Sequence, residues 1–96
     1  MSTAHKGRRA EHRARKLLEA AGYTVTRAAG SKGCADLVAW NTVHMRLLNI
    51  KSGTKYCGSL EREAFALVPV PPNATKEIWR FPDRCVAPVI EVVHGA

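Results

Sequence analysis

The chain has 96 residues, enough for one modest core and too few for a second, so residues 1–96 are expected to fold as a single domain. It carries 15 Lys and Arg against 8 Asp and Glu, a formal net charge of +7, alongside 46% hydrophobic residues, an ordinary share for a globular protein. Three cysteines, Cys34, Cys57 and Cys85, lie far apart without a CxxC or Cys/His cluster, which argues against a disulfide framework or zinc site and for a reducing cytoplasm. No apolar run approaches the roughly 20 residues needed to span a bilayer, and the basic N-terminus has no apolar signal segment behind it. A positive surplus on so small a body attracts polyanions through counterion release, which makes nucleic acid the first partner to consider; a merely basic, solvated surface is the plain alternative.

The stretch from Lys6 to Ala21 is rich in helix formers and meets a stop signal at Gly22. A turn of about 100° per residue puts Ala10, Ala14, Leu17, Leu18 and Ala21 on one face and Arg8, Arg9, His12, Arg13, Arg15 and Lys16 on the rest. Glu11 falls at the border, where its carboxylate overlooks whatever the helix packs against. "YTVTRAA", Tyr23 to Ala29, alternates as a first strand. After the loop "GSKG", "CADLVAW" (Cys34 to Trp40) reads as a second strand, "NTVH" as a turn and "MRLLNIKSG" (Met45 to Gly53) as a third, so residues 23 to 51 form an antiparallel meander.

"LEREAFALV" then has helical character, cut short by the prolines of "PVPPN". "TKEIWRF" (Thr75 to Phe81) and "PVIEVV" (Pro88 to Val93) supply two more strands. The order of helix, three strands, helix and two strands predicts an α+β fold with a mixed five-stranded sheet flanked by helices.

Asp36 and Lys51 stand out as charges in these apolar strands, with Asn49 two residues before Lys51 and therefore on the same face. Burying a charge is costly unless it is paired or holds a metal. If the strands are neighbours, Asp36 approaches Asn49 and Lys51 across the ladder, and Glu11 could close the group. Oxygen ligands of this kind suit Mg²⁺ or Mn²⁺, and an adjacent lysine could orient a water or stabilise charge on phosphorus, a set fitted to phosphodiester hydrolysis. A simple Asp36–Lys51 ion pair between strands explains the same spacing without chemistry.

The string "KGRRAEHRARKLLEAAGYTVTRAAGSKGCADLVAWNTVHMRLLNIKSG" resembles the archaeal-type Holliday junction resolvases of the PD-(D/E)XK nuclease superfamily. Four pieces carry the likeness: the glutamate in "KGRRAEHRARKLLEAAGY", the serine loop in "RAAGSKGCADLVA", the aspartate after it, and the lysine of "NIKSG". The resemblance implies a small restriction-endonuclease-like fold and a catalytic set of Glu11, Ser31, Asp36 and Lys51. It implies a divalent metal, Mg²⁺ or Mn²⁺, at Glu11 and Asp36, with Asn49 and Ile50 as further metal-side positions. Asn49 departs from the pattern, since these resolvases place Glu or Gln there; Asn keeps one carbonyl oxygen and loses the charge and a methylene of reach, which should weaken metal binding.

Lys6, Arg8, Arg9 and Arg15, with Lys32 in the serine loop and Lys55 after the third strand, are the candidate phosphate contacts around that site. The resemblance further implies branched DNA as substrate, specifically the four-way junction, and a homodimer in which each subunit cuts one strand. Trp79, Phe65, Phe81 and Leu67 are interface candidates, each with a core role as the simpler reading. Two other functions stay open: a nicking or flap-type nuclease of the same superfamily, and a DNA-binding protein whose site is weakened by Asn49.

Overall fold

The computed structural model describes residues 3–28, 35–53, 58–83 and 87–94, with the main chain alone for 3–7 and 94. The elements run α1 (Thr3–Ala20), β1 (Thr24–Arg27), β2 (Leu37–Trp40), β3 (Met45–Ser52), α2 (Ser59–Ala66), β4 (Ala74–Phe81) and β5 (Val89–His94). The five strands form one sheet in chain order, antiparallel except for the parallel pair β3–β4 that α2 bridges. This is the expected α+β architecture with a mixed sheet.

One side of the sheet takes α1. Ala10, Ala14 and Leu18 recur every four residues and are buried against Val25, Leu37, Ala39, Leu48, Ile50, Trp79 and Phe81. Two alanines in that row let the helix approach closely, and each fully buried leucine in the cluster contributes about 1.5–3 kcal/mol. The buried stripe is narrower than the sequence suggests: Leu17 is 44% exposed and Ala21 is also exposed. Gly22 ends α1 at φ 93°, with Tyr23 N–H donating to the Leu18 carbonyl (3.0 Å) and Gly22 N–H to Glu19 (3.0 Å), the paired bonds of a Schellman stop.

The opposite side takes α2, whose Phe65 is fully buried against Ala35 and Ile78, with Leu47 and Val93 packed on the cluster. The β2–β3 turn is built by Asn41, whose Oδ1 accepts from the N–H of Val43 (3.0 Å) and of His44 (2.8 Å).

β4 is buried on both faces, as a parallel inner strand should be, yet its sequence includes Lys76 and Glu77. Each is satisfied. Lys76 Nζ donates to the carbonyls of Ala66 (2.5 Å) and Val68 (2.7 Å), placing a cation where the end of α2 leaves acceptors unpaired. Glu77 accepts from Arg46 Nε (2.8 Å) and Nη2 (2.7 Å), Thr75 Oγ1 (2.6 Å) and Trp79 Nε1 (2.9 Å).

Arg46 is thus a third charge in the central strands, beside Asp36 and Lys51. Its guanidinium also lies over the rings of Tyr23 (5.2 Å) and Trp79 (5.4 Å). Burial pushes the Glu77 carboxyl up, but the bonds from Arg46, Thr75 and Trp79 prevail and hold it below the usual range. The bond to Glu77 raises Arg46 in turn.

Strand limits differ most at β2, expected from Cys34 and observed from Leu37. Leu37 opens the regular ladder as the register partner of Leu48, and just before it the N–H of Asp36 also donates to the Leu48 carbonyl (2.8 Å), so two residues meet one as in a β-bulge. Three of the proposed interface residues, Phe65, Trp79 and Phe81, are core in this chain; Leu67 is 82% exposed. Cys34, Cys57 and Cys85 lie outside the described residues. Among the described residues, no helix is long and apolar enough to cross a membrane.

Candidate active site

The bulge at Asp36 sets up the site. Instead of a main-chain carbonyl, the Asp36 carboxylate meets the N–H of Ile50, with Oδ2 accepting at 2.7 Å. A strand residue directs its N–H and C=O to the same side, so the Ile50 carbonyl faces the same gap between β2 and β3. A carboxylate and a peptide oxygen therefore converge where the sheet parts.

Asn49 and Lys51, flanking Ile50, project to the α2 side. Asn49 is only 3% exposed, and its buried Oδ1 has no hydrogen-bond donor among the described residues. An unsatisfied buried carbonyl costs about 1–3 kcal/mol, a penalty tolerated where a bound group normally satisfies the atom. Lys51 Nζ forms an ion pair with Glu61 Oε1 at 2.5 Å, joining β3 to the first turn of α2. The plain Asp36–Lys51 pair is not what the strand charges make: Asp36 is bonded to main chain and Lys51 to α2.

These donors fit a hard divalent cation. Asp36, the Ile50 carbonyl and the orphaned Asn49 Oδ1 are all oxygens. Among the described residues no group of three or more His, Cys, Asp or Glu could hold a metal, so a cation here would need neutral oxygens, water and substrate phosphate to complete its shell, as Mg²⁺ commonly allows.

Glu11 lies on the other side of the sheet, with α1. Its Oε1 pairs with Arg27 Nε at 3.1 Å, beside a cleft of about 180 Å³ lined by Arg8, Glu11, His12, Arg15, Arg27 and Leu37. No described contact joins it to Asp36. Ser31, Lys32 and Lys55 lie outside the described residues, and of Lys6 only the main chain in α1 is described.

Of the basic residues proposed to hold phosphate, Arg8 and Arg9 are exposed. Arg15 is partly committed to structure, donating to the Val25 carbonyl (3.0 Å) and facing Glu19 (3.7 Å). Arg9 and Arg13 border a second cleft, about 210 Å³, with Ser52, Gly53 and Asp83, just past Lys51 at the end of β3. Gly53 leaves the strand at φ 64°, and a Cβ there would meet the Asp83 carboxylate at 3.5 Å.

Arg13, Arg27 and Glu61 are the neighbours the sequence did not single out. The one available signal for Glu61 is a carboxylate opening a helix ten residues after the strand lysine.

The family model of the archaeal Holliday junction resolvases (Hjc) matches residues 2–68. The chain belongs to that family. Asp36, Asn49, Ile50, Lys51 and Glu61 all lie inside the matched span, while Asp83, β4 and β5 lie beyond it. Among solved structures, Hjc of the archaeal hyperthermophile Archaeoglobus fulgidus, a Holliday junction resolvase, is similar at 26% identity and a TM-score of 0.72 over 92% of this chain and 73% of that one. The likeness therefore extends beyond the span that the family model matches. No curated protein matches the chain.

Proposed function

We propose that this resolvase, acting as one nuclease domain over residues 1–96, hydrolyses DNA phosphodiesters at four-way junctions with Mg²⁺ or Mn²⁺ in the cytoplasm. The observation that carries the reading is the bulged Asp36, whose carboxylate meets Ile50 at the β2–β3 gap beside a buried, unsatisfied Asn49 oxygen. Asp36, the Ile50 carbonyl and Asn49 would hold the cation. When bound, the cation supplies Lewis-acid polarisation of the scissile phosphate and lowers the pKa of an attacking water.

The chain's own groups do the rest. Lys51 directs its ammonium to the developing negative charge on phosphorus. Arg8 and Arg9 neutralise phosphates along α1, and Lys6, Lys32 and Lys55 extend that track by their sequence positions. Glu11, screened by Arg27, is an acidic neighbour to the basic track, and for Ser31 the resemblance alone suggests a role near the scissile phosphate. Two copies related by a two-fold axis would let each subunit cut one strand of the symmetric junction.

The test is cleavage of a labelled four-way junction, a flap and a linear duplex, each with Mg²⁺ and with Mn²⁺. Paired cuts in the junction at a rate well above the other two substrates are expected. Cutting of flap or duplex at least as fast would replace junction resolution by a broader nuclease activity, and absence of cutting with either metal would leave a DNA-binding protein.

A further inference from the structure

Asn49 leaves the site one carboxylate short, and hard cations favour charged oxygens. A carboxylate reaches that face from α2. Phe65, fully buried against the sheet, fixes the rotation of the helix. Glu61 lies four residues earlier, one turn away on the same side, and it reaches Lys51 Nζ at 2.5 Å. Lys51 and Asn49 are alternate residues of one strand and share that face.

The independent sign of a ligand is Asn49 Oδ1, a buried acceptor with no donor among the described residues. A lysine, a water or a peptide N–H would satisfy it in an ordinary core; here the adjacent lysine is turned to Glu61 and Oδ1 is left open.

Building on the nuclease reading above, we propose that Glu61 is a metal ligand of this site, delivering from α2 the negative charge that position 49 does not carry. The carboxylate that pairs with Lys51 would hold the cation together with Asn49 Oδ1 and Asp36. The carboxylate has moved from strand to helix, and a shorter amide at position 49 leaves room for it. Glu61 also couples the two functions on this face, fixing the lysine relative to the metal through one carboxylate.

The rival explanation is an ion pair that merely fastens α2 to β3. Mn²⁺ binding to the full chain without DNA separates the two, followed by calorimetry and by the spin-resonance signal of free Mn²⁺ for the wild type, Glu61→Gln, Asn49→Glu and the double variant. Thermal melting of each confirms that it is folded.

If Glu61 is a ligand, Glu61→Gln weakens Mn²⁺ binding by about tenfold or more, and adding Asn49→Glu to Glu61→Gln restores affinity to within a few-fold of wild type. Junction cleavage follows the same order. Unchanged Mn²⁺ affinity in folded Glu61→Gln, or failure of Asn49→Glu to restore it, overturns the assignment. A wild-type chain that binds Mn²⁺ through Asp36 and Glu61 but cuts no DNA would refute the nuclease reading and leave this assignment standing.

Discussion

Strand β3 carries buried polar groups at both ends, and the two ends are treated oppositely. At its start Arg46 grips Glu77 with two bonds, and Thr75 and Trp79 fill the remaining acceptor sites. The network continues through Thr75 Oγ1 to His44 Nε2 (3.3 Å) and from His44 Nδ1 to the Tyr23 hydroxyl (3.0 Å). Because the Thr75 hydroxyl donates to Glu77, it accepts from His44 Nε2. Near its end β3 carries Asn49 with an oxygen that nothing satisfies, Lys51 committed to another element, and a bulge opposite that redirects Asp36. A satisfied buried network holds a fold together. The unsatisfied group a few residues away is where we propose that the cation binds.

The contrast predicts that the two ends respond to substitution in opposite ways. The largest effect should come from Asp36→Asn, which keeps an oxygen for the Ile50 N–H and removes the charge. Single-turnover junction cleavage should fall about a thousandfold, while the melting temperature stays near wild type and junction binding persists. A large loss of stability would instead place Asp36 with the structural network.

Glu77→Gln should do the reverse. Leaving Arg46 buried and unpaired should cost about 3–5 kcal/mol in urea unfolding, with Mn²⁺ affinity of the folded chain unchanged. This loss should also depend on pH. The folded-state pKa of Glu77 is depressed, so its contribution is fully present above the ordinary glutamate value of 4.5 and is lost as pH falls through the lower folded value. The stability gap between wild type and Glu77→Gln should therefore narrow in acid. A gap that stays constant down to pH 3 would show that the carboxylate's charge is not what the network uses.

Smaller effects test the supports around the comparison. Lys76→Met removes the cation from the end of α2 and leaves the Ala66 and Val68 carbonyls without their donor, for an expected loss of about 1–3 kcal/mol by chemical denaturation. Glu91→Gln weakens the exposed pair with Arg62 that links β5 to α2. Arg62 holds the Glu91 carboxyl below the usual range, but the site is open to solvent and screened, so less than about 1 kcal/mol should be lost, and less still at high salt.

Much of this was legible in the sequence where a local rule applied. Gly22 announced the end of α1, "NTVH" the β2–β3 turn, and alternation the strands on either side. Asp36, Asn49 and Lys51 stood out because polar residues interrupted apolar strands. The spacing placed Asn49 and Lys51 on one face, as found.

Pairing across long separations was not legible. Arg46 meets Glu77 thirty-one residues away, and neither looks unusual until β3 and β4 lie side by side in parallel. Lys76 reads as an exposed strand charge until α2 is seen to end over it. Trp79 and Phe81 looked like surplus apolar surface because the double-sided burial of β4 depends on which strands flank it. Glu61 sat in a short helix whose rotation only the seating of Phe65 determines. Glu11 was given to the metal by its place at the helix border and by the resemblance; in the structure it pairs with Arg27, and no described contact joins it to Asp36.

The central claim is that the unsatisfied end of β3 is the metal centre. Anomalous diffraction from a crystal of the wild-type chain soaked in Mn²⁺ tests it most directly. The account predicts a peak in the gap between β2 and β3, within coordination distance of the Asp36 carboxylate and the Ile50 carbonyl, with Asn49 Oδ1 turned toward it. A Mn²⁺ peak bound elsewhere, with Asp36 still held only by the Ile50 N–H, would contradict it.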